Sequence, residues 1–181
     1  MRPPKLRDLP LDNVYQLIEP GPVVLLATAH RGRANVMTMS WHMMVEFTPP
    51  QLACIVSNRN HSFRALRATG ECVVAIPDAA MAKTVVAIGN RSGRDGDKIA
   101  ALGLATLPAS RVAAPLLPAC FANLECRVVE TRLVNRFNLF VLQVVKAWTR
   151  GGRARPKTLH HQGWGRFVLD GETIRLPSDK A

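Results

Sequence analysis

Apolar residues along this chain gather in short unbroken runs rather than at helical intervals. Val23 to Ala29, Leu52 to Val56, Cys72 to Ile76 and Leu139 to Val145 are each five to seven residues of nearly continuous hydrophobic sequence. Such runs suit strands buried on both faces and are too short for core helices. Arg31-Gly32-Arg33 predicts a turn between the first run and an extended segment reaching Thr38. Val45 to Phe47 meets Pro49-Pro50, which bars regular helix there. Leu124 to Val134 is expected to be extended. Phe167 to Leu169 and Thr173 to Arg175 flank Asp170-Gly171-Glu172, a hairpin signal.

Helices are predicted only as short pieces. Asp12 is placed to cap one over Asn13 to Glu19, stopped by Pro20-Gly21-Pro22. Asn60 is the expected N-cap of a second, with Phe63 and Leu66 on one face and Gly70 at its end. Asp78 heads a third, whose Met81, Val85 and Ile88 share a face and which Gly89 closes. Asp97 to Leu102 adds one or two turns. Strands in series with short helices between them argue against repeating βαβ units. They favour a mostly β fold, an antiparallel barrel carrying peripheral helices, over residues 1–181 as one domain.

Composition adds one feature. Twenty-four Lys and Arg against 13 Asp and Glu leave a net charge of +11, which favours an anionic partner. The densest basic stretch, Arg150 to Lys157, is broken by Gly and Pro and reads as an exposed loop. Aromatics are scarce and do not alternate with basic residues, so the charge is expected to serve anionic small molecules and not nucleic acid. No apolar run is long enough for a membrane-spanning helix, and the N-terminal residues lack a signal-type apolar region. Four cysteines without a CxxC spacing, two of them inside apolar runs, point to a reduced, cytoplasmic protein.

Candidate chemistry lies in two polar segments. Ser57-Asn-Arg-Asn-His-Ser-Phe63 leaves a buried strand and enters a helix N-terminus, where free N–H groups and the helix dipole favour an anion. Ser57, Asn58, Asn60 and Ser62 add neutral donors, and Arg59 adds a planar fork suited to phosphate. A capped helix with polar decoration fits the same residues. In Asn35-Val-Met-Thr-Met-Ser-Trp-His42, Thr38 and Ser40 alternate with apolar side chains, an arrangement able to bracket a flat heterocycle. An ordinary two-faced strand fits it equally. There is no GxGxxG, P-loop, GxSxG or HExxH pattern. The His160-His161 pair points to opposite faces of a strand, so no metal site is expected.

In their order and spacing these segments resemble the flavin reductase-like family, which includes flavoredoxin, ferric reductase and small components of two-component monooxygenases. The resemblance rests on Pro22-Val-Val-Leu-Leu-Ala-Thr28, Asn35 to Trp41, Ser57 to Phe63 and Thr69-Gly-Glu-Cys-Val-Val-Ala-Ile-Pro77. Ser92-Gly-Arg-Asp-Gly-Asp-Lys98 and Asn123-Leu-Glu-Cys-Arg127 complete it. It runs from about Pro20 to about Ile174 and departs at Ile99, where relatives often carry an aromatic.

The resemblance implies an FMN-binding split β-barrel of antiparallel, Greek-key type, with FAD possible. It also implies a homodimer with flavin near the subunit interface. By position, Thr38, Met39, Ser40 and Trp41 lie against the flavin ring. Ser57, Asn58, Arg59, Asn60, His61 and Ser62 hold its ribityl and phosphate groups, and Lys98 is a further phosphate contact. The reaction implied is NAD(P)H-dependent reduction of flavin, with electrons passing to free flavin, a metal complex or a partner protein. The cofactor carries that chemistry, so no catalytic residue is named. His42, just past the ring segment, either faces substrate or is an ordinary satisfied histidine. A flavin-carrying electron-transfer or storage protein without NAD(P)H activity is the first alternative, and a basic nucleic-acid-binding barrel the second.

Overall fold

The computed structural model describes residues 4–151 and 155–177, so Arg153 of the basic stretch lies outside the described residues. Among the described residues there are ten strands: β1 (Arg7–Asp8), β2 (Val24–His30), β3 (Arg33–Met39), β4 (His42–Glu46) and β5 (Gln51–Ile55), then β6 (Glu71–Ile76), β7 (Ala122–Glu130), β8 (Leu139–Thr149), β9 (Leu159–His161) and β10 (Phe167–Leu169). The main sheet runs β3-β2-β6-β7-β8-β5-β4 with β1 beside β8, and β9 and β10 form a separate ribbon. Every pairing is antiparallel. Consecutive strands β3 and β4 stand at opposite ends of the main order, so the chain parts at Ser40-Trp41 and leaves the barrel split. Register shifts at Glu125/Cys126 and Val128/Glu130 along β7 and β8 add the local twist that curls a sheet.

The continuous apolar runs have a direct cause. Along β2, Val24 and Leu26 join one core cluster and Leu25 and Ala27 another; along β6, Cys72, Val74 and Ile76 divide from Val73 and Ala75 in the same way. Because side chains alternate across a strand, both faces of β2 and β6 are buried and neither can be polar. The first cluster fills the barrel, drawing Leu52 and Cys54 from β5, Leu124 from β7, Phe140 and Leu142 from β8 and Val14 and Ile18 from the N-terminal segment. The second lies outside it, under Val85, Ile88, Leu116 and Leu117.

Short α-helices surround the barrel: α1 (Tyr15–Ile18), α2 (His61–Thr69), α3 (Ala82–Gly89), α4 (Lys98–Ala101) and α5 (Val134–Phe137). Gly70 ends α2 with φ 66, the left-handed conformation that favours glycine. Asp78 accepts from Ala80 N in the turn leading to α3, and Asp97 accepts from Ile99 N and Ala100 N at the start of α4.

Three local expectations are corrected. Asp12 does not cap a helix over Asn13 to Glu19; it lies in a 3₁₀ turn, Leu11–Asn13, and α1 begins only at Tyr15 with no side-chain cap. Extended structure from Leu124 stops at Glu130, where a turn leads into α5 and Asn138, at φ 56, reverses the chain into β8. Thr173 to Arg175 forms no strand, and β10 pairs instead with β9, upstream. Asp170 is the reason: its carboxylate accepts from the Thr158 N–H and hydroxyl and hydrogen-bonds His160, tying the chain back to the start of β9 rather than turning a new hairpin.

All four cysteines are free and buried. Burial pushes the thiols of Cys54 and Cys120 up, so both pack as small neutral groups. Among the described residues no helix is long and apolar enough to cross a membrane.

Candidate functional site

The junction of β5 and α2 begins the site. After Val56 the backbone makes a turn, in which Asn60 N donates to Ser57 O (2.8 Å) and Arg59 N to Ser57 Oγ (3.2 Å). Asn60 then takes the extended conformation of an N-cap residue, as expected, but its side chain caps nothing. Its Nδ2 donates to Met37 Sδ (3.7 Å), a weak acceptor on β3. Phe63 N donates to Asn60 O (3.2 Å), whereas the His61 and Ser62 N–H groups have no partner among the described residues. These are the orphan donors at the positive end of the helix dipole.

A cleft of about 430 Å³ opens over those donors. One wall is β3, through Asn35, Met37 and Thr38; the other is the loop from Gly89 to Asp95, with Lys98 behind it. Arg59, Asn60, His61 and Ser62 complete the lining. Lys98 is 6% exposed, and its ammonium donates to Ile88 O (3.1 Å) and Arg91 O (2.7 Å). Burial lowers its pKa. The lysine therefore holds the loop down first and faces the cleft second. Arg94 donates to Arg59 O (2.7 Å), clamping loop to turn from the opposite side. Asn35, 8% exposed, donates to Ser62 Oγ (2.8 Å) and fixes β3 to the start of α2.

Close packing at Gly93 sets the width of the cleft. A Cβ there would stand 2.4 Å from Asn35 Oδ1 and 2.7 Å from His61 Cδ2, distances no side chain tolerates. His61 sits in a positive field. Burial lowers its pKa first, and Arg94, Arg33, Lys98 and Arg64 lower it further by repulsion. The cleft thus combines unpaired N–H groups, cationic walls and no carboxylate in hydrogen-bonding contact with Arg59 or Lys98 among the described residues. That donor set fits a phosphate group.

Of the residues expected from sequence, the structure brings Thr38, Arg59, Asn60, His61, Ser62 and Lys98 to this cleft. Thr38 arrives with its hydroxyl already donating to Val85 O (2.7 Å). Ser57 and Asn58 lie in the approaching turn, outside the lining. Met39 is buried in the barrel core, Ser40 is half-buried and Trp41 is 69% exposed. The last three straddle the split, so successive side chains point inward and outward rather than to one wall.

Sequence reasoning passed over Asn35, Gly93 and Arg94 as individual site residues. The signal for the last two is Ser92-Gly-Arg-Asp-Gly, a glycine-rich loop beside basic residues, in which the family resemblance singles out only Lys98. His42 is tied to Pro22 O through Nε2 (2.6 Å) and burial lowers its pKa, but its buried Nδ1 has no partner, so it is not the fully satisfied histidine of the plainer reading.

Beyond the cleft, the outer face of β4 is apolar. Trp41, Met43, Val45 and Phe47 stand at alternate positions and are all exposed, while Met44 turns inward against the barrel core. On its far side β4 has no strand partner among the described residues.

Comparison with known proteins identifies the family and the fold. Residues 18–167 match the model of the flavin reductase like domain. A protein of Escherichia coli (strain K12) called uncharacterized protein YddH is 30% identical over 178 residues, covering 91% of this chain and 94% of that protein. The FMN-binding domain of a flavin reductases-like enzyme from Shewanella baltica OS155 superposes with a TM-score of 0.90 at 22% identity, over 98% of this chain and 100% of the other. Flavoredoxin from Methanosarcina acetivorans superposes with a TM-score of 0.76 at 25% identity, over 88% and 89%.

Proposed function

The chain belongs to the flavin reductase like domain family, and from that premise we propose that it is an FMN-binding oxidoreductase that accepts electrons from NAD(P)H. The observation that carries the reading is the pair of unpartnered N–H groups on His61 and Ser62, facing a cleft walled by Arg59, Lys98 and Arg94. Arg59 and the two N–H groups would hold the phosphate. Asn60 and Ser62 would meet the sugar chain, and the Thr38 to Trp41 segment would border the ring.

Bound FMN supplies a hydride acceptor and a reservoir of electrons. The residues of this chain bind and orient it. Lys98 and Arg94 shape the loop around the phosphate and keep the local field positive. That field also favours an anionic nicotinamide donor. No side chain is required to move a proton, and His42, tied to Pro22 O, offers none.

The apolar outer face of β4 supports a homodimer. An unpaired edge strand displaying Trp41, Met43, Val45 and Phe47 is a surface that a second copy would bury. Because Trp41 ends the ring segment, that partner would close the cofactor site.

The flavoredoxin neighbour favours a second reading, a flavin carrier reduced by a partner protein and not by NAD(P)H. Anaerobic mixing of FMN-loaded protein with NADH or NADPH separates the two. Bleaching of the visible flavin band on a turnover timescale supports the reductase; a persistent band with both donors leaves the carrier. Failure to bind FMN at all would sink both readings.

A further inference from the structure

His61 stands between the phosphate cleft and a second groove of about 990 Å³, lining both. Its N–H is one of the unpartnered donors at the start of α2. Its ring packs against Gly93, since a Cβ on that glycine would stand 2.7 Å from His61 Cδ2. The imidazole makes no ion pair among the described residues.

Charged groups reach it from every neighbouring element. Arg33 comes from β3, Arg64 from the first turn of α2, Arg94 from the Gly89 to Asp95 loop and Lys98 from the start of α4. After burial, these four lower its pKa by repulsion. Arg31 borders the groove with Arg33 and Arg64, while Arg59 and Arg91 line the cleft. Two carboxylates lie among these cations. Asp97, on the groove, is occupied by the Ile99 and Ala100 N–H groups, and Asp95, on the cleft, makes no ion pair among the described residues. An imidazole so placed stays neutral in the free protein, because a further positive charge there has nothing to balance it.

Ser62 shows what would balance it. Its hydroxyl, 1% exposed, accepts from Asn35, and its own O–H has no acceptor among the described residues. A buried donor of this kind needs an acceptor, and here the acceptor must come from outside the chain. A phosphate in the cleft supplies it and reverses the sign of the field at the neighbouring imidazole.

We propose that His61 takes up a proton as the phosphate enters the cleft, so that this side chain makes the hold on FMN depend on pH. The proposal rests on the phosphate reading of the cleft. One proton passes from solvent to the imidazole on binding and returns on release, and no covalent bond to the ligand forms. The added affinity is complete below the pKa of the free protein, which lies under the ordinary 6.5. It is lost as pH rises through the higher pKa of the occupied site.

The test is FMN titration of wild type, His61→Gln and His61→Lys between pH 6 and pH 8. The phosphate's own proton, with a pKa of about 6, affects all three alike. From pH 8 to pH 6, wild type should gain about tenfold in affinity over His61→Gln, within the limit of about tenfold per pH unit for one proton. His61→Lys, charged throughout, should already show that advantage at pH 8. Riboflavin should give parallel profiles in all three proteins. Proton NMR of the His61 ring, assigned among the 5 histidines by its loss in His61→Gln, should show its pKa rising on saturation with FMN. Parallel FMN profiles for wild type and His61→Gln, or a ring pKa that FMN leaves unmoved or lowers, would overturn the proposal and leave the phosphate site standing. FMN bound no more tightly than riboflavin by all three proteins would instead remove the phosphate reading, and the proposal with it.

Discussion

Substituting Gly93 by alanine tests whether the cleft has the width and rigidity described. The added Cβ would lie 2.4 Å from Asn35 Oδ1, 2.9 Å from Asn35 Cγ and 2.7 Å from His61 Cδ2. His61 is exposed and can swing away, but Asn35 is buried and held by its 2.8 Å hydrogen bond to Ser62 Oγ. Relief therefore requires either breaking that bond or lifting the Gly89 to Asp95 loop off the site. A buried amide left without its partner costs about 1–3 kcal/mol, and overpacking a closed site costs a similar amount. The variant should lose about 1–3 kcal/mol of stability, and for a chain of this size each kcal/mol lowers Tm by about 2–4 °C. Differential scanning fluorimetry without ligand reads the stability, and equilibrium titration with FMN reads the cleft, where affinity should fall. Asn35→Ala in the same background removes the obstructing atoms. The double variant should be less destabilised than the two single losses added together. An alanine variant with unchanged Tm and unchanged FMN affinity would refute the close packing at this rim and the role given to the loop.

Other outcomes follow from the same contacts. FMN should bind about ten- to a hundredfold more tightly than riboflavin, the worth of one charged phosphate contact at about 1.5–3 kcal/mol, and Arg59→Ala should reduce that preference without lowering Tm. Equal dissociation constants for the two ligands would remove the phosphate from the α2 N-terminus. Sedimentation equilibrium should show a dimer, and Trp41→Glu with Met43→Glu on the exposed face of β4 should give a folded monomer; a wild-type monomer would leave that face unexplained. His42 predicts a pH dependence. Burial lowers its pKa from an ordinary 6.5, so the unfolded chain binds the proton more readily than the folded one. Its contribution is complete above about pH 6.5 and is lost as pH falls toward the folded value, with a slope of at most about 1.4 kcal/mol per pH unit. Urea unfolding between pH 5 and pH 7 should therefore show a shallower slope for His42→Gln than for wild type, and parallel slopes would exclude His42 as the source.

Strand positions were legible because the barrel buries both faces of β2 and β6, so period and burial both leave unbroken hydrophobic sequence. Cap and stop signals agree with the structure where the chemistry is local, as at Asp78 and Gly70. The hairpin signal failed where a distant group outbid the local one. Asp170 gives its carboxylate to Thr158 and His160 rather than to a following hairpin, partners that a window of neighbouring residues does not show. Asn60 holds the N-cap position as expected and lacks only the side-chain cap bond.

The candidate site divides the same way. Ser57 to Ser62 was recognisable from residue type and position, since a strand leading into a helix N-terminus is a local arrangement, whereas Lys98 was expected only through the family resemblance. That the Lys98 ammonium would be spent on Ile88 O and Arg91 O, that Met39 would face the core while Trp41 faces outward, and that Arg33 and Arg64 would border one groove depends on which strands become neighbours. By itself, the sequence determined the buried strands β2, β5, β6 and β8 and the strand-to-helix junction at Ser57 to Ser62, because each is set by residues within a few positions of one another. Only the tertiary structure decided which side chains share a wall, because that depends on the antiparallel register of β2 with β3 and on the loop packed over them, contacts between residues tens of positions apart.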